Sequence, residues 1–211
     1  MNRSSDCRDL LFDMGNVLVR FNPWDILERK GVKDEADRAL MIDEVFRSVE
    51  WVCIDRGSLS PEKACRGMCA RLPERLHAAC EAAVYHWHDP PEQIEGMEEL
   101  VRELSGRGYG LYLLSNAGVR LREYWPRYPV SRWFGDRLMI SAEWGLLKPE
   151  AAFYEKVLER FSLERPHCLF IDDNPYNIEG AARSGIDGIV FHGSAAGLRR
   201  RLREKGVDVD G

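Results

Sequence analysis

The sequence predicts an α/β protein: a doubly wound parallel sheet interrupted, after its first strand, by a small all-helical insertion. Three observations predict it. Five short apolar runs recur along the chain, and the first four stop abruptly at polar residues. Amphipathic stretches of helical period lie between them, and the stretch 22–89 carries helix start signals without a clear strand. Short apolar strands alternating with helices imply a parallel sheet covered on both faces.

The first run, Leu10-Leu11-Phe12, ends at Asp13 and then Gly15, which reads as a buried strand with a carboxylate at its C-terminal end. The second, Tyr109 to Leu114, ends in Ser115-Asn116, and the third, Leu138-Met139-Ile140, in Ser141. The fourth, Cys168 to Ile171, ends in Asp172-Asp173, and the fifth runs from Gly188 to Phe191. Helices are expected over Glu92–Arg107, Glu150–Phe161 and Tyr176–Ser184. Within the insertion, Asn22-Pro23 and Ser60-Pro61-Glu62 each place a capping residue before a proline at the first helical position. Pro73 and Asp89-Pro90-Pro91 break the pattern, so the division expected is a core of residues 1–21 and 90–211 with a helical cap at 22–89. In open parallel sheets ligands bind at the carboxyl ends of the strands, where these polar residues fall.

Composition narrows the function. Of 211 residues, 45% are hydrophobic and 31% charged, the profile of a globular chain, and the net charge of −5 gives no support to a nucleic-acid partner. Arg199-Arg200-Arg201 and Arg203 read as the solvated face of a terminal helix. Met1 to Arg8 is polar and no apolar stretch reaches membrane-span length, so no membrane partner and a cytoplasmic location are expected. The six cysteines contain no CxxC pair; Cys65 and Cys69 share a helix face but read as small, half-buried hydrophobes. His86 and His88, flanking Trp87, read as a packed or partly exposed helix end. Nothing fixes an oligomeric state.

Four polar clusters carry the chemistry: Phe12-Asp13-Met14-Gly15-Asn16-Val17-Leu18, Leu113-Leu114-Ser115-Asn116, Gly145-Leu146-Leu147-Lys148-Pro149-Glu150 and Phe170-Ile171-Asp172-Asp173-Asn174. Their order and spacing resemble the four motifs of the haloacid dehalogenase superfamily over essentially the whole chain. The Asp-x-Gly-Asn-Val start, Tyr124-Trp125-Pro126 and the stretch Asp172 to Ala181 are similar to one bacterial branch. That branch includes a phosphatase acting on α-glucose 1-phosphate, and the N-terminal phosphatase domain of soluble epoxide hydrolases is also similar. The resemblance implies a magnesium-dependent phosphatase acting on a small phosphorylated metabolite, such as a hexose 1-phosphate, through an aspartyl-phosphate.

In that reading Asp13 is the nucleophile. Mg²⁺ is held by Asp13, the Gly15 backbone carbonyl and Asp173, with Asp172 a partner behind the metal or through water. Ser115 and the Asn116 backbone N–H bind phosphoryl oxygens, and Lys148 sets a positive charge beside the nucleophile and the transferring group. The chain departs from the superfamily at Gly15, where most phosphatases carry an acid–base Asp. Asp172, a group from the helical cap, or a leaving group acidic enough to need no proton would compensate. A dehalogenase using the same Asp on carbon, a mutase, and a catalytically silent phosphometabolite-binding protein are the alternatives. Asp173 argues against the first, Gly15 against the second, and the intact Asp13, Ser115, Lys148 and Asp173 set against the third. Specificity is expected in the cap, around Trp51, Asp55 and Arg56 beside Gly57, where Arg56 would meet phosphate or sugar hydroxyls; a helix-ending turn at Gly57 with Trp51 in the cap core is the plain alternative.

Overall fold

A computed structural model describes residues 7–210. Residues 1–6, which hold most of the Met1–Arg8 stretch, lie outside the described part.

Five strands form one sheet: β1 (Asp9–Phe12), β2 (Gly110–Ser115), β3 (Leu138–Ile140), β4 (Cys168–Asp172) and β5 (Asp187–Val190). They pair in the order β3-β2-β1-β4-β5, every neighbour parallel. β1 is central, and the chain winds outward to one side through β2 and β3, then to the other through β4 and β5. The order therefore reverses at β1, which places the ligand crevice at its carboxyl end.

Side chains alternate between two apolar layers, as the two-residue period of a strand requires. Leu10 and Phe12 join one layer with Leu111, Leu113, Leu169 and Ile171. Leu11 points to the other, with Leu114 and Phe170. The first layer is covered by α6 (Met97–Gly106) and α11 (Ala195–Glu204), through Leu100, Leu104, Leu198 and Leu202. The second is covered by α9 (Ala151–Phe161) and α10 (Pro175–Arg183), through Phe153, Tyr154, Val157 and Ala181. Both faces are buried, so the strands read as continuous apolar runs.

Between β1 and α6 the described residues form helices and no named strand. These are α1 (Pro23–Arg29), α2 (Glu35–Met41) continuing into a π-turn at Ile42–Phe46, α3 (Val49–Arg56), α4 (Pro61–Cys69) and α5 (His77–His86). Asn22 and Ser60 accept from the first-turn N–H groups of α1 and α4, with proline inside the turn, as their sequences dictate. This insertion has its own apolar cluster, including Leu27, Met41, Val45, Met68 and Cys80. Two further short helices, α7 (Leu121–Tyr124) and α8 (Ser141–Trp144), follow β2 and β3.

One boundary differs from expectation. The helix expected from Glu92 starts only at Met97, because Gly96 adopts φ 76° and residues 92–94 bond instead to the loop after β1. Arg20 N–H donates to Glu92 O at 3.0 Å and Ile94 N–H to Leu18 O at 3.0 Å. These bonds tie the two chain crossings between sheet and insertion together. The far end of α3 is tied as well: Gly57, at φ 75°, lies so close to Ala142 that an added Cβ would stand 2.2 Å from its carbonyl oxygen. No helix among the described residues is long and apolar enough to cross a membrane.

Candidate active site

Three strand ends and one loop converge. Asp13 follows β1, and its N–H donates to Ile171 O of β4 at 2.9 Å, which carries the ladder one residue past the strand. Ser115 ends β2 and Asp172 ends β4; both are buried. Asp173 follows in the turn that starts α10.

Lys148 enters from the loop between α8 and α9. Asn116 fixes that loop: its side-chain N–H donates to Lys148 O at 3.0 Å, and its oxygen accepts from Lys148 N–H at 2.8 Å. Lys148 is 4% exposed, and its ammonium donates to Asp13 Oδ1 at 2.6 Å, Asp172 Oδ2 at 2.7 Å and Leu114 O at 2.9 Å. Three donors meet three acceptors, so the buried charge is fully satisfied. An ordinary surface lysine is excluded by this geometry.

Asp172 collects further donors. Asn177 Nδ2 reaches both its oxygens at 3.0 Å, and Asn174 N–H reaches Oδ1 at 2.8 Å. The helix start dictates this: Asn174 caps α10 with Pro175 in the first turn, which turns Asn177 back toward the strand end. Asn177 lies within the Asp172–Ala181 stretch, and its position three residues after a capping Asn is the sequence signal for this contact.

Electrostatics follow from the crowding. Burial, with the charges of Asp172 and Asp173, pushes the Asp13 carboxyl up to about 7 despite the opposing pull of Lys148. Burial and Asp172 likewise raise Asp173. Burial alone would lower Lys148, but Asp13 and Asp172 more than offset it and hold the ammonium charged.

A divalent hard cation fits this donor set. Asp13, Asp172 and Asp173 each offer a carboxylate oxygen, all within 4.8 Å of one another. Three carboxyl groups crowd around a single ammonium, a divalent cation would offset the mutual repulsion that, after burial, raises Asp13 and Asp173, and all the donors are hard oxygens.

Above the cluster lies a cavity of about 290 Å³, lined by Asp13, Gly15, Ser115, Asn116, Lys148 and Asp173 on the sheet side. The insertion contributes Trp51, Ile54, Asp55, Val84, Tyr85 and Trp87, joined by Phe21, Arg120 and Tyr124. Trp51 packs on Phe46, with ring centroids 4.8 Å apart, while also reaching the cavity. Asp55 carries a backbone hydrogen bond from Gly118, and burial raises its carboxyl well above the ordinary range. Arg56, expected to meet substrate, does not line the cavity. It pairs with Glu150 and donates to Gly145 O at 3.0 Å, which pins α3 to the sheet domain's loops. Gly57 forms the helix-ending turn. His86 is exposed and His88 buried at the end of α5, as a packed helix end requires.

Sequence reasoning gave no place in the cavity to Phe21, Tyr85, Trp87, Arg120 or Tyr124, which come from three separate segments of the chain. Only the fold assembles them.

Comparison with known proteins agrees with this architecture. The chain is 28% identical over 192 residues to a sesquiterpene phosphatase of Aspergillus oryzae, covering 88% of this chain and 90% of that protein. It is 29% identical over 128 residues to flavin mononucleotide hydrolase 1 of Arabidopsis thaliana, covering 55% of this chain and about half (46%) of the relative. Among solved structures, a haloacid dehalogenase family enzyme from Bacteroides thetaiotaomicron, in complex with magnesium and inorganic phosphate, has the same fold. Its TM-score is 0.68 at 19% identity, covering 91% of this chain and 98% of that one. The model of the haloacid dehalogenase-like hydrolase family matches residues 10–185, most of the chain, and the protein belongs to that family.

Proposed function

We propose that this hydrolase is a magnesium-dependent phosphatase that cleaves a small phosphorylated metabolite with Asp13 as nucleophile. One observation carries the reading: a fully buried ammonium bridges Asp13 and Asp172 at the floor of the cavity, beside a third carboxylate. Phosphoryl transfer asks for positioning and charge, and this floor supplies both.

A carboxylate oxygen of Asp13 forms the new bond to phosphorus as the bond to the leaving oxygen breaks. Ser115 and the Asn116 N–H receive the phosphoryl oxygens, and Lys148 keeps its charge beside the nucleophile. Asp13, Asp173 and the Gly15 carbonyl would hold Mg²⁺; the donors already gathered on Asp172 favour a supporting role for it behind them. When bound, the ion neutralises the repulsion between the nucleophile and the phosphoryl oxygens. The acidic set also favours a phosphatase over a dehalogenase, which needs no cation. The helical insertion, residues 22–89, serves as the cap.

Asp55 takes the part that Gly15 cannot. It lines the same cavity from the cap side, and burial raises its carboxyl well above the ordinary range, which favours the protonated form a proton donor needs. It gives that proton to the leaving oxygen, then as carboxylate takes one from the water that attacks phosphorus and frees Asp13.

A hexose 1-phosphate suits the floor, with Trp51 offering a ring face to the sugar. The aromatic wall favours a second reading, a phosphate ester of an apolar alcohol, as the Aspergillus oryzae relative's name describes. Hydrolysis of p-nitrophenyl phosphate with Mg²⁺ and with chelator, with halide release from a haloacid as control, tests the class. Paired assays with a hexose 1-phosphate and an isoprenyl phosphate then separate the two substrates. Halide release, or full activity in chelator, would overturn the reading.

A further inference from the structure

A second cluster of metal-ligating side chains lies in the insertion, outside the cavity's lining. Cys65 and Cys69 stand one turn apart on α4, and Cys80 faces them from α5; the three sulfurs lie within 4.8 Å of one another. They are not joined by disulfides. Cys80 is fully buried, while Cys65 and Cys69 are half-buried, so the cluster opens to solvent on one side.

We propose that Cys65, Cys69 and Cys80 form a thiolate site for a thiophilic d¹⁰ cation, Zn²⁺ or Cu⁺. A tetrahedral ion with metal–sulfur bonds of about 2.3 Å needs sulfurs roughly 3.8 Å apart, a closure within reach of side-chain rotation from the observed spacing. Three soft donors without a carboxylate among them select such an ion over the hard cation of the acidic cluster. Each S–metal bond forms as an S–H proton leaves to solvent. Zn²⁺ would complete its shell with water on the open side, whereas Cu⁺ is content with three sulfurs.

The position gives the site a consequence. Pro61, which begins α4, and Val84 and Tyr85 of α5 line the catalytic cavity. An ion bridging α4 and α5 fixes the two helices that shape this part of the wall.

The test uses the reduced full-length protein, kept anaerobic, with excess Mg²⁺ to occupy the acidic cluster. Zn²⁺ and Cu⁺ are titrated separately against a chromophoric chelator, and melting temperature is read alongside. The proposal expects one equivalent of at least one ion retained against the chelator and a raised melting temperature. Retention should be lost in Cys69→Ser and Cys65→Ser and kept in Cys53→Ser. Whichever ion is retained identifies the site's class. Cys69 is half-buried, so its serine variant carries the test even if Cys80→Ser fails to fold. Retention of neither ion by wild type, equal retention by Cys69→Ser, or equal loss in Cys53→Ser would overturn the proposal.

Discussion

The floor and the roof of the cavity are built in opposite ways. The floor consists of carboxylates at the ends of buried strands and one lysine from a loop, held by several hydrogen bonds: Asp13 and Asp172 share the Lys148 ammonium. The roof consists of aromatic and aliphatic side chains, with Asp55 the one carboxylate the insertion contributes to the lining. The floor gains its precision from sheet geometry, and a misplaced charge there is costly. The roof tolerates rearrangement, because apolar contacts are weakly directional. In the proposed function, chemistry belongs to the floor and recognition to the roof, with Asp55 as the chemical group reaching across.

The largest effect should come from Asp13→Asn. An amide is a poor nucleophile and a weaker ligand, so kcat should fall by several orders of magnitude with the fold intact. A variant that keeps more than about a tenth of the wild-type rate, a barrier change under ~1.4 kcal/mol, would remove the floor from the chemistry.

Asp55→Asn comes next, with a loss of about 10²–10⁴-fold on a substrate whose leaving group is a primary alcohol. The loss should be smaller on p-nitrophenyl phosphate, whose leaving group needs little protonation. Gly15→Asp should restore part of the lost rate, because the position has room: an added Cβ would have its nearest contacts at 3.9 Å to Phe21 and 4.0 Å to Asp13. In wild type a hexose 1-phosphate should outpace the 6-phosphate, since an anomeric hydroxyl is the better leaving group. An equal loss on all substrates would make Asp55 a positioning residue and confine all chemistry to the floor.

The two adjacent acids should separate. Asp173→Ala should raise the Mg²⁺ concentration needed for half-maximal rate more than Asp172→Ala does. Asp172→Ala should cost more stability, about 3–5 kcal/mol by analogy with broken buried pairs, because Lys148 and Asn177 lose a shared partner. Metal titrations and thermal melts of both variants check this, and a reversed order would exchange the roles.

The smallest effect belongs to the insertion's far end. Burial, followed by Arg127 and Arg120, pushes the buried His88 imidazole down to about 4 against the opposing pull of Asp89. The unfolded chain, with a value near 6.5, binds the proton first. Stability is therefore full above pH ~6.5 and is lost as pH falls toward 4. Melting curves of wild type across that window should drop by more than those of His88→Gln. Parallel curves would show that the helix end contributes no such dependence.

The same contrast explains what the sequence could tell. Strands buried on both faces leave apolar runs with abrupt polar ends, so β1, β2, β3 and β4, and the residues after them, were legible within about a residue. The start of α6 was not, because Gly96 and the pairing of residues 92–94 with the loop after β1 override a helical pattern that begins at Glu92. Lys148 looked like any loop lysine except through the family resemblance. Its depth depends on Asn116, thirty-two positions away. In the insertion, Cys65 and Cys69 could be set on one helix face from spacing alone, but Cys80 meets them only through packing of α4 on α5. Arg56 shows the limit of reading a charged residue near a turn as a ligand contact: Glu150 takes it.

The covalent step is the most direct test of a floor that does the chemistry. Wild-type protein mixed with Mg²⁺ and a phosphoryl-labelled ester, then quenched in acid within a turnover, should carry label on the peptide containing Asp13. The label should be removed by hydroxylamine, as an acyl phosphate is, and absent in chelator and in Asp13→Asn. Steady turnover with no label trapped on protein, or label on a different residue, would contradict the account.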